Sequence, residues 1–309
     1  MNISNLIELI RASVSNEGST LSVLGFACVL DDLKASYAFF SNDEEEIKRA
    51  IKKNAYVIVS EKKIKIYDKD VFYLLVDDLQ VALFRLVRFI SEEKKLNFVL
   101  SSKNELKFCN AFKLNILSKN IFLDFKKLIK ANNKEHFFCD DEFYILKLCA
   151  NFIKLKNAKF ELLEQGSLFF TSIICKDLYF KNLYFPNIYA QSFSNVLSYL
   201  VENQLEHNFH SDRLKFFKIF FINKKYKLCS NSERALILVF DEYDFDFFKE
   251  GFKHVKGFKS ALKASLFCDF SYAKLENLSF LNFRYCLLLE SEEEVLRAFS
   301  NKDEENTLF

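Results

Sequence analysis

Asp241, Glu242 and Asp244 fall within the stretch FDEYDFD, with Tyr243 between them. Carboxylates this close can act as a general base or hold a divalent cation. They follow the continuous apolar run ALILVF, and open α/β sheets place ligand groups just beyond the carboxyl ends of such strands. If they do chemistry, it is that of a small-molecule transferase, and they should converge on a pocket with another polar group. The competing explanation is loop solvation and capping of a helix over 245–255.

Other reactive side chains are sparse. His207 and His210 in EHNFH share a face if the helix before them continues that far. Two histidines are too few for a zinc site, although Glu206 or Asp212 could be recruited. The eight cysteines are scattered without a CxxC pair, mostly in apolar runs such as ASLFCDF, as expected of buried, reduced thiols. No serine stands in a GxSxG context.

The glycines are Gly18, Gly25, Gly166, Gly251 and Gly257. No two lie at the spacing of a phosphate loop or of GxGxxG, motifs that need clustered amides unobstructed by Cβ. The expectation is therefore no Walker-type ATP site, no dinucleotide fingerprint, no cofactor and no resident metal. The residues define no recognisable catalytic set, which leans against an enzyme.

Composition narrows the partners. The 309 residues hold 38 Phe and 44 Lys plus Arg but no Trp, so clusters of Phe and Lys are discounted as signals. That applies to DRLKFFKIFFINKKYK, whose interleaved bases and aromatics would otherwise suit single-stranded nucleic acid. A formal charge of +2 gives no reason to expect nucleic acid or an acidic membrane surface. No apolar run approaches the roughly 18–20 residues of a membrane span. The start, MNISNLIELIRASVS, has no basic n-region. A cytoplasmic chain without membrane insertion is expected.

These residues need elements to hold them. Residues 2–15 have apolar positions at helical spacing, and LSVLGFACVL reads as a strand. NDEEEIKRAIKKN reads as a helix with Asn42 as N-cap candidate, AYVIVS and VFYLLV as buried strands. Asp77 or Asp78 can cap the helix LQVALFRLVRFISEEKK. DDEFYILKLCANFIK is a helix, and SLFFTSIICKDLYFKNLYFP a hairpin turning at Lys176 and Asp177. QSFSNVLSYLVENQLEHN is a helix, and LKFFKIFFINKKYKLC a strand pair turning at Asn223–Lys225. RALILVF and FRYCLLL each precede a helix, the first closed by Gly257, the second capped by Ser291 with Glu294. Continuous apolar strands alternating with helices predict an α/β chain with a parallel sheet covered on both faces. The tail NKDEENTLF is expected to fray.

The order of segments resembles the N-terminal domain of the Mur ligases. Asp31-Asp32-Leu33 stands at the family's Asp-Ser-Arg position, and Ala35 to Phe40 resembles the strand after it. Asn54-Ala55 resembles Gly-Ala, and Val76-Asp77-Asp78 the last motif. Further on, FPNIYAQSFSNVLSYLVEN, with Asn195 in its helix, is similar to the segment closing the central domain. LILVFDEYDFD is similar to the opening of the C-terminal domain. The resemblance implies three parts: a Mur-like α/β unit over 1–95, a reduced central α/β region over 96–230, and a Rossmann-like unit over 231–309. It makes Asp31, Asp32, Ser36, Asn195, Asp241, Glu242, Tyr243 and Asp244 candidate ligand-binding residues. The departures matter equally. Asp32 and Leu33 replace the Ser and Arg that contact the uridine nucleotide, and Lys34, Ala35 and Ser36 stand where glycines are expected. LNFVLSSKNELKF stands where the phosphate loop should begin. The resemblance thus implies a degenerate, non-catalytic ligase-like protein of peptidoglycan precursor synthesis, with a UDP-sugar peptide or a protein partner as its ligand. The alternatives are an assembly protein acting through a surface patch or as a homodimer, and the transferase above.

Overall fold

The computed structural model describes residues 1–163 and 168–300, so Gly166 and the tail 301–309 lie outside the described residues. The chain divides into two compact units, Met1–Lys156 and Asn157–Phe309.

The first unit runs α1 (Ile3–Ile10), β1 (Ser13–Asn16), β2 (Gly25–Ala27), β3 (Tyr37–Phe40), α2 (Glu44–Lys52), β4 (Val57–Ser60), β5 (Phe72–Leu75) and α3 (Leu79–Lys94). It continues through β6 (Asn97–Leu100), α4 (Lys103–Ala111), β7 (Asn115–Ile116), α5 (Ile121–Lys130), β8 (His136–Cys139), α6 (Glu142–Leu148) and β9 (Ile153–Lys154). The first sheet has the order β1-β5-β4-β3-β2, parallel except for β1, and the second the order β7-β8-β6-β9, all parallel. Strand β4, VIVS, is buried at every position, as a central parallel strand must be. Helix α3 ends next to residue 95, where the first sheet has closed and the second is about to open. Its buried face, from Leu79 to Ile90, joins the core that holds Leu6, Phe40, Phe98, Phe125 and Ile145. A second core, on Phe39, Ile58 and Tyr73, is covered by Ile47 and Ala50 of α2.

Local chemistry moves several boundaries from those expected. The helix expected over 2–15 stops at Ile10, where Arg11 turns left-handed at φ 56°, and 13–16 becomes an edge strand against β5. Asp43, not Asn42, caps α2, because its carboxylate reaches the amides of Glu45 and Glu46 at 2.8 and 2.9 Å. Asn42 instead accepts from the amide of Glu61 at 2.8 Å. Asp78 caps α3. The helix expected over 140–154 ends at Leu148, and Ile153–Lys154 pair with β6. Here β6 offers an open row of backbone groups, and pairing outweighs helical propensity.

The second unit contains β10 (Glu161–Leu162), β11 (Thr171–Cys175) and β12 (Leu178–Leu183), an antiparallel sheet. Its hairpin turns at Lys176 and Asp177, both left-handed at φ 51° and 61°, the handedness that matches strand twist in a two-residue loop. Helix α7 (Ala190–Glu202) follows, then β13 (Lys218–Ile222), β14 (Leu228–Cys229), β15 (Arg234–Val239), α8 (Glu242–Phe252), β16 (Phe258–Lys263), β17 (Phe270–Tyr272), β18 (Tyr285–Leu289) and α9 (Glu292–Phe299). These strands form one sheet, β14-β13-β15-β18-β16-β17. Four of them, from β15 to β17, are parallel, while β13 and β14 pair antiparallel at the edge and bring residues upstream of 231 into the sheet. Helix α9 and a 3-10 turn over Leu275–Phe280 cover the face bearing Leu236, Leu238, Cys286 and Leu288. Helix α8 packs against β18 and β16. It ends at Phe252, so Gly257 does not close it. Gly257 is left-handed at φ 79° at the entry to β16, where a Cβ would lie 2.8 Å from that of Arg284.

Candidate functional site

The parallel strands of the second unit end together at Val239, Leu289, Lys263 and Tyr272, which defines a carboxyl edge. Open α/β sheets bind ligands outside this edge. Two cavities open there. One, of about 530 Å³, is lined by Glu242, Asp246 and Lys249 of α8 together with Lys263, Phe267 and Leu289. The other, of about 400 Å³, is lined by Tyr272, Glu290, Glu294 and Arg297, again with Lys263.

In the smaller cavity, the Tyr272 hydroxyl donates to Glu290 Oε1 at 2.7 Å. Burial, followed by the hydrogen bond shared with Glu294, raises the pKa of Glu290; that same bond lowers Glu294. As pH falls, the first proton taken up by the pair therefore goes to Glu290. Burial and the Glu290 carboxyl also push the Tyr272 phenol upward, which keeps it a donor. With Lys263 and Arg297 alongside, the cavity offers donors, acceptors and both signs of charge, suited to a polar ligand.

A loop held by Asp269 borders the larger cavity. Asp269 Oδ2 accepts from the amide and the hydroxyl of buried Ser260 at 2.7 and 2.8 Å. Burial alone would raise its pKa, but the two Ser260 hydrogen bonds outweigh it and hold the carboxyl below its usual value. Its stabilising effect is then complete above the ordinary carboxylate pKa of about 3.9 and is lost as pH falls through the lower folded value. Denaturant midpoints measured from pH 6 to pH 2.5 should thus fall less steeply in Asp269→Asn than in the wild type, with the difference concentrated below about pH 4. Parallel curves would contradict the Ser260 contact.

The residues selected from sequence are distributed differently from a single site. Asp241 Oδ1 caps α8 by accepting from the Asp244 amide at 2.7 Å. Glu242 lines the larger cavity, together with Asp246 from the same stretch. Tyr243 stacks on Phe247 at 6.3 Å. Asp244 is 1% exposed and faces inward, where the Tyr189 hydroxyl lies 3.4 Å from its Oδ1. The three acids therefore do not converge. Asn195, buried in α7, accepts from the Ala158 amide and from Gln191 Nε2 at 2.9 and 2.8 Å, which tethers the irregular segment before β10.

In the first unit, Asp31 is exposed in the turn after β2. Asp32 is paired with Lys126 at 2.6 Å and Lys130 at 3.2 Å on α5. Burial opposes ionisation there slightly, and the two lysines overcome it to lower the pKa. Ser36 is left-handed at φ 68°; its amide donates to the Asn54 carbonyl and its carbonyl accepts from Leu24, both at 2.9 Å. Asp32 thus ties its turn to α5, and the Ser36 backbone is bonded at the entry to β3. After β6, Ser102 Oγ accepts from the Glu105 amide at 3.3 Å, and the Glu105 carboxylate accepts from the Ser102 amide at 2.6 Å, a capping box on α4.

His207 and His210 share no helix face, because α7 ends at Glu202 and Gln204 turns left-handed at φ 55°. Among the described residues, no group of three or more His, Cys, Asp or Glu is placed to hold a metal ion. All eight cysteines are free thiols, five of them buried. Sequence reasoning missed Lys263, Tyr272, Glu290, Glu294 and Arg297, which are separated along the chain. One signal was available: Glu290 follows an apolar strand just as Asp241 does.

No protein-family model matches the chain, and no curated protein matches it. Solved structures do. MurF ligase from Thermotoga maritima, in complex with ADP, is 10% identical, with a TM-score of 0.49 over 89% of this chain and 96% of that one. MurF from Acinetobacter baumannii is 9% identical, with a TM-score of 0.46 over 84% and 78%. The UDP-N-acetylmuramoylalanyl-D-glutamyl-2,6-diaminopimelate–D-alanyl-D-alanyl ligase from Acinetobacter baumannii is 9% identical, with a TM-score of 0.45 over 96% and 97%. All three are Mur ligases, the family that the segment order resembles. Among the described residues, no helix is long and apolar enough to cross a membrane.

Proposed function

We propose that the protein is a non-catalytic, Mur ligase-like binding module of cytoplasmic peptidoglycan precursor synthesis, which takes a UDP-sugar peptide without using ATP. The observation that carries this reading is the connection between β6 and α4. A phosphate loop presents open backbone amides at a helix N-terminus. Here the connection is Ser101-Ser102, and the Ser102 amide already holds the Glu105 carboxylate, which is 8% exposed. A phosphate arriving there would find that amide already occupied. On this reading the protein takes no nucleoside triphosphate at this connection. The polar cavities at the carboxyl edge of the second unit suit a charged, branched ligand.

The test is a thermal-shift comparison of Mg-ATP with UDP-MurNAc and its peptide derivatives at millimolar concentration. A ligand at ten times its Kd stabilises the native state by about 1.4 kcal/mol, enough to move the transition visibly. A shift with a UDP-MurNAc species and none with ATP is expected. A shift with ATP would overturn the reading.

One observation favours a second reading, assembly through a surface. Leu266, Phe267 and Phe280 are 93%, 82% and 81% exposed in the second unit. Under that reading no nucleotide-sugar shifts the transition, and light scattering reports self-association that Leu266→Ser/Phe267→Ser abolishes.

A further inference from the structure

A cavity of about 620 Å³ opens in the first unit, and none of the residues selected above lines it. Helix α1 supplies Asn5, Glu8 and Leu9, spaced along one of its faces; α3 supplies Phe89, Ile90 and Glu93; edge strand β2 supplies Phe26. The volume lies within the range of small-molecule sites, about 300–1,000 Å³. Leu9, Phe26 and Phe89 pack against the core on one side and leave apolar surface toward the cavity, and Ile90 is 7% exposed beneath them.

The side-chain charge is one-sided. Glu8 and Glu93 both line the cavity and are exposed, whereas no lysine or arginine lines it. The ammonium of Met1, also in the lining, is directed to the Val23 carbonyl at 2.9 Å. Among the described residues, no hydrogen bond or ion pair engages the side chain of Glu8 or Glu93. A chain of net charge +2 thus presents an apolar cavity with two carboxylates and no basic side chain.

We propose that this cavity binds an apolar small molecule carrying a primary amine or guanidinium. Its hydrocarbon body lies on Leu9, Phe26 and Phe89, and its cation meets the Glu8 and Glu93 carboxylates. Burial of the body supplies affinity, and the two acids supply selection by charge.

The experiment compares 4-phenylbutylamine with 4-phenylbutyrate, one skeleton with opposite charges, by NMR titration of the full chain. The amine should bind saturably and about tenfold more tightly than the acid, since reversing the charge turns two attractions into repulsions. In Glu8→Gln/Glu93→Gln the two affinities should become equal, and in Glu8→Lys/Glu93→Lys the preference should invert. Both positions are exposed, so the variants should keep the wild-type melting temperature. Raising the salt should weaken amine binding and leave acid binding little changed or improved. Equal binding of amine and acid by the wild type, a preference that survives neutralisation, or no saturable amine binding up to about 10 mM would each overturn the proposal. The readout is independent of any UDP-sugar, so failure here and failure of the peptidoglycan reading are distinguishable.

Discussion

Asp124→Ala should cost the first unit about 2–3 kcal/mol, because it strands a buried hydroxyl and removes a loop tether. Asp124 lies in the first turn of α5 and is 1% exposed. Its two oxygens accept from the Ser118 amide at 2.9 and 3.0 Å, and Oδ2 also accepts from the Tyr144 hydroxyl at 2.8 Å. Burial, reinforced by the Asp124 carboxylate, raises the Tyr144 pKa, so this hydroxyl donates throughout the working pH range. With Asp124 gone, Ser118 can turn to water because it is exposed, but Tyr144 is wedged against Phe84 at 5.7 Å and cannot. Most of the loss therefore belongs to Tyr144. Urea titrations of Asp124→Ala, Tyr144→Phe and the double variant check this. The Asp124→Ala cost should shrink by about 1 kcal/mol or more in the Tyr144→Phe background. Strict additivity, or a loss below about 0.5 kcal/mol for the single variant, would refute the contact.

Phe248→Ala should cost the second unit about 3–5 kcal/mol, the usual loss for emptying a buried phenyl site. Phe248 is fully buried in α8, with ring centroids of Tyr189, Phe217 and Phe252 at 5.7, 5.7 and 5.6 Å. Tyr189 and Phe217 come from separate segments and Phe252 from the next turn of α8 itself, so they cannot all move in to fill the void. Phe248→Leu keeps most of the volume and should cost less than about 1.5 kcal/mol. Because α8 carries Glu242, Asp246 and Lys249 to the larger cavity, Phe248→Ala should also weaken any ligand response of the second unit. The amine site of the first unit should be untouched. A loss of stability equal for the Leu and Ala variants would contradict the packing described.

Much of the fold was legible because local signals agreed. VIVS and ALILV are continuous apolar runs, and both became central strands buried along their length or nearly so. Ser291 before EEEVL capped α9, accepting from the Glu294 amide at 3.2 Å. The turn at Lys176 and Asp177 was found from the apolar stretches on either side. The misplaced boundaries share one cause. At Ser13–Asn16 and Ile153–Lys154 the local sequence suits a helix, but a sheet edge distant in sequence offered backbone partners. Propensity is worth tenths of a kcal/mol per residue, so an unpaired edge outweighs it.

The candidate site was less legible. The FDEYDFD acids are adjacent in sequence, but a helix start turns successive side chains in different directions. Asp241 caps, Glu242 and Asp246 line a cavity, and Asp244 is buried beside Tyr189. Conversely, Lys263, Tyr272 and Glu290 meet only because parallel strands end at one edge.

The sequence by itself determined an α/β chain without clustered glycines, and the order of its strands and helices. Those properties depend on near neighbours: hydrophobic period, caps and the spacing of small residues. Only the tertiary structure decided where unlike charges converge, that the Ser102 amide is occupied by Glu105, and that Glu8 and Glu93 flank one apolar cavity. Those facts depend on which distant segments pack together, and burial and hydrogen bonding then shift the carboxyl pKa values up or down.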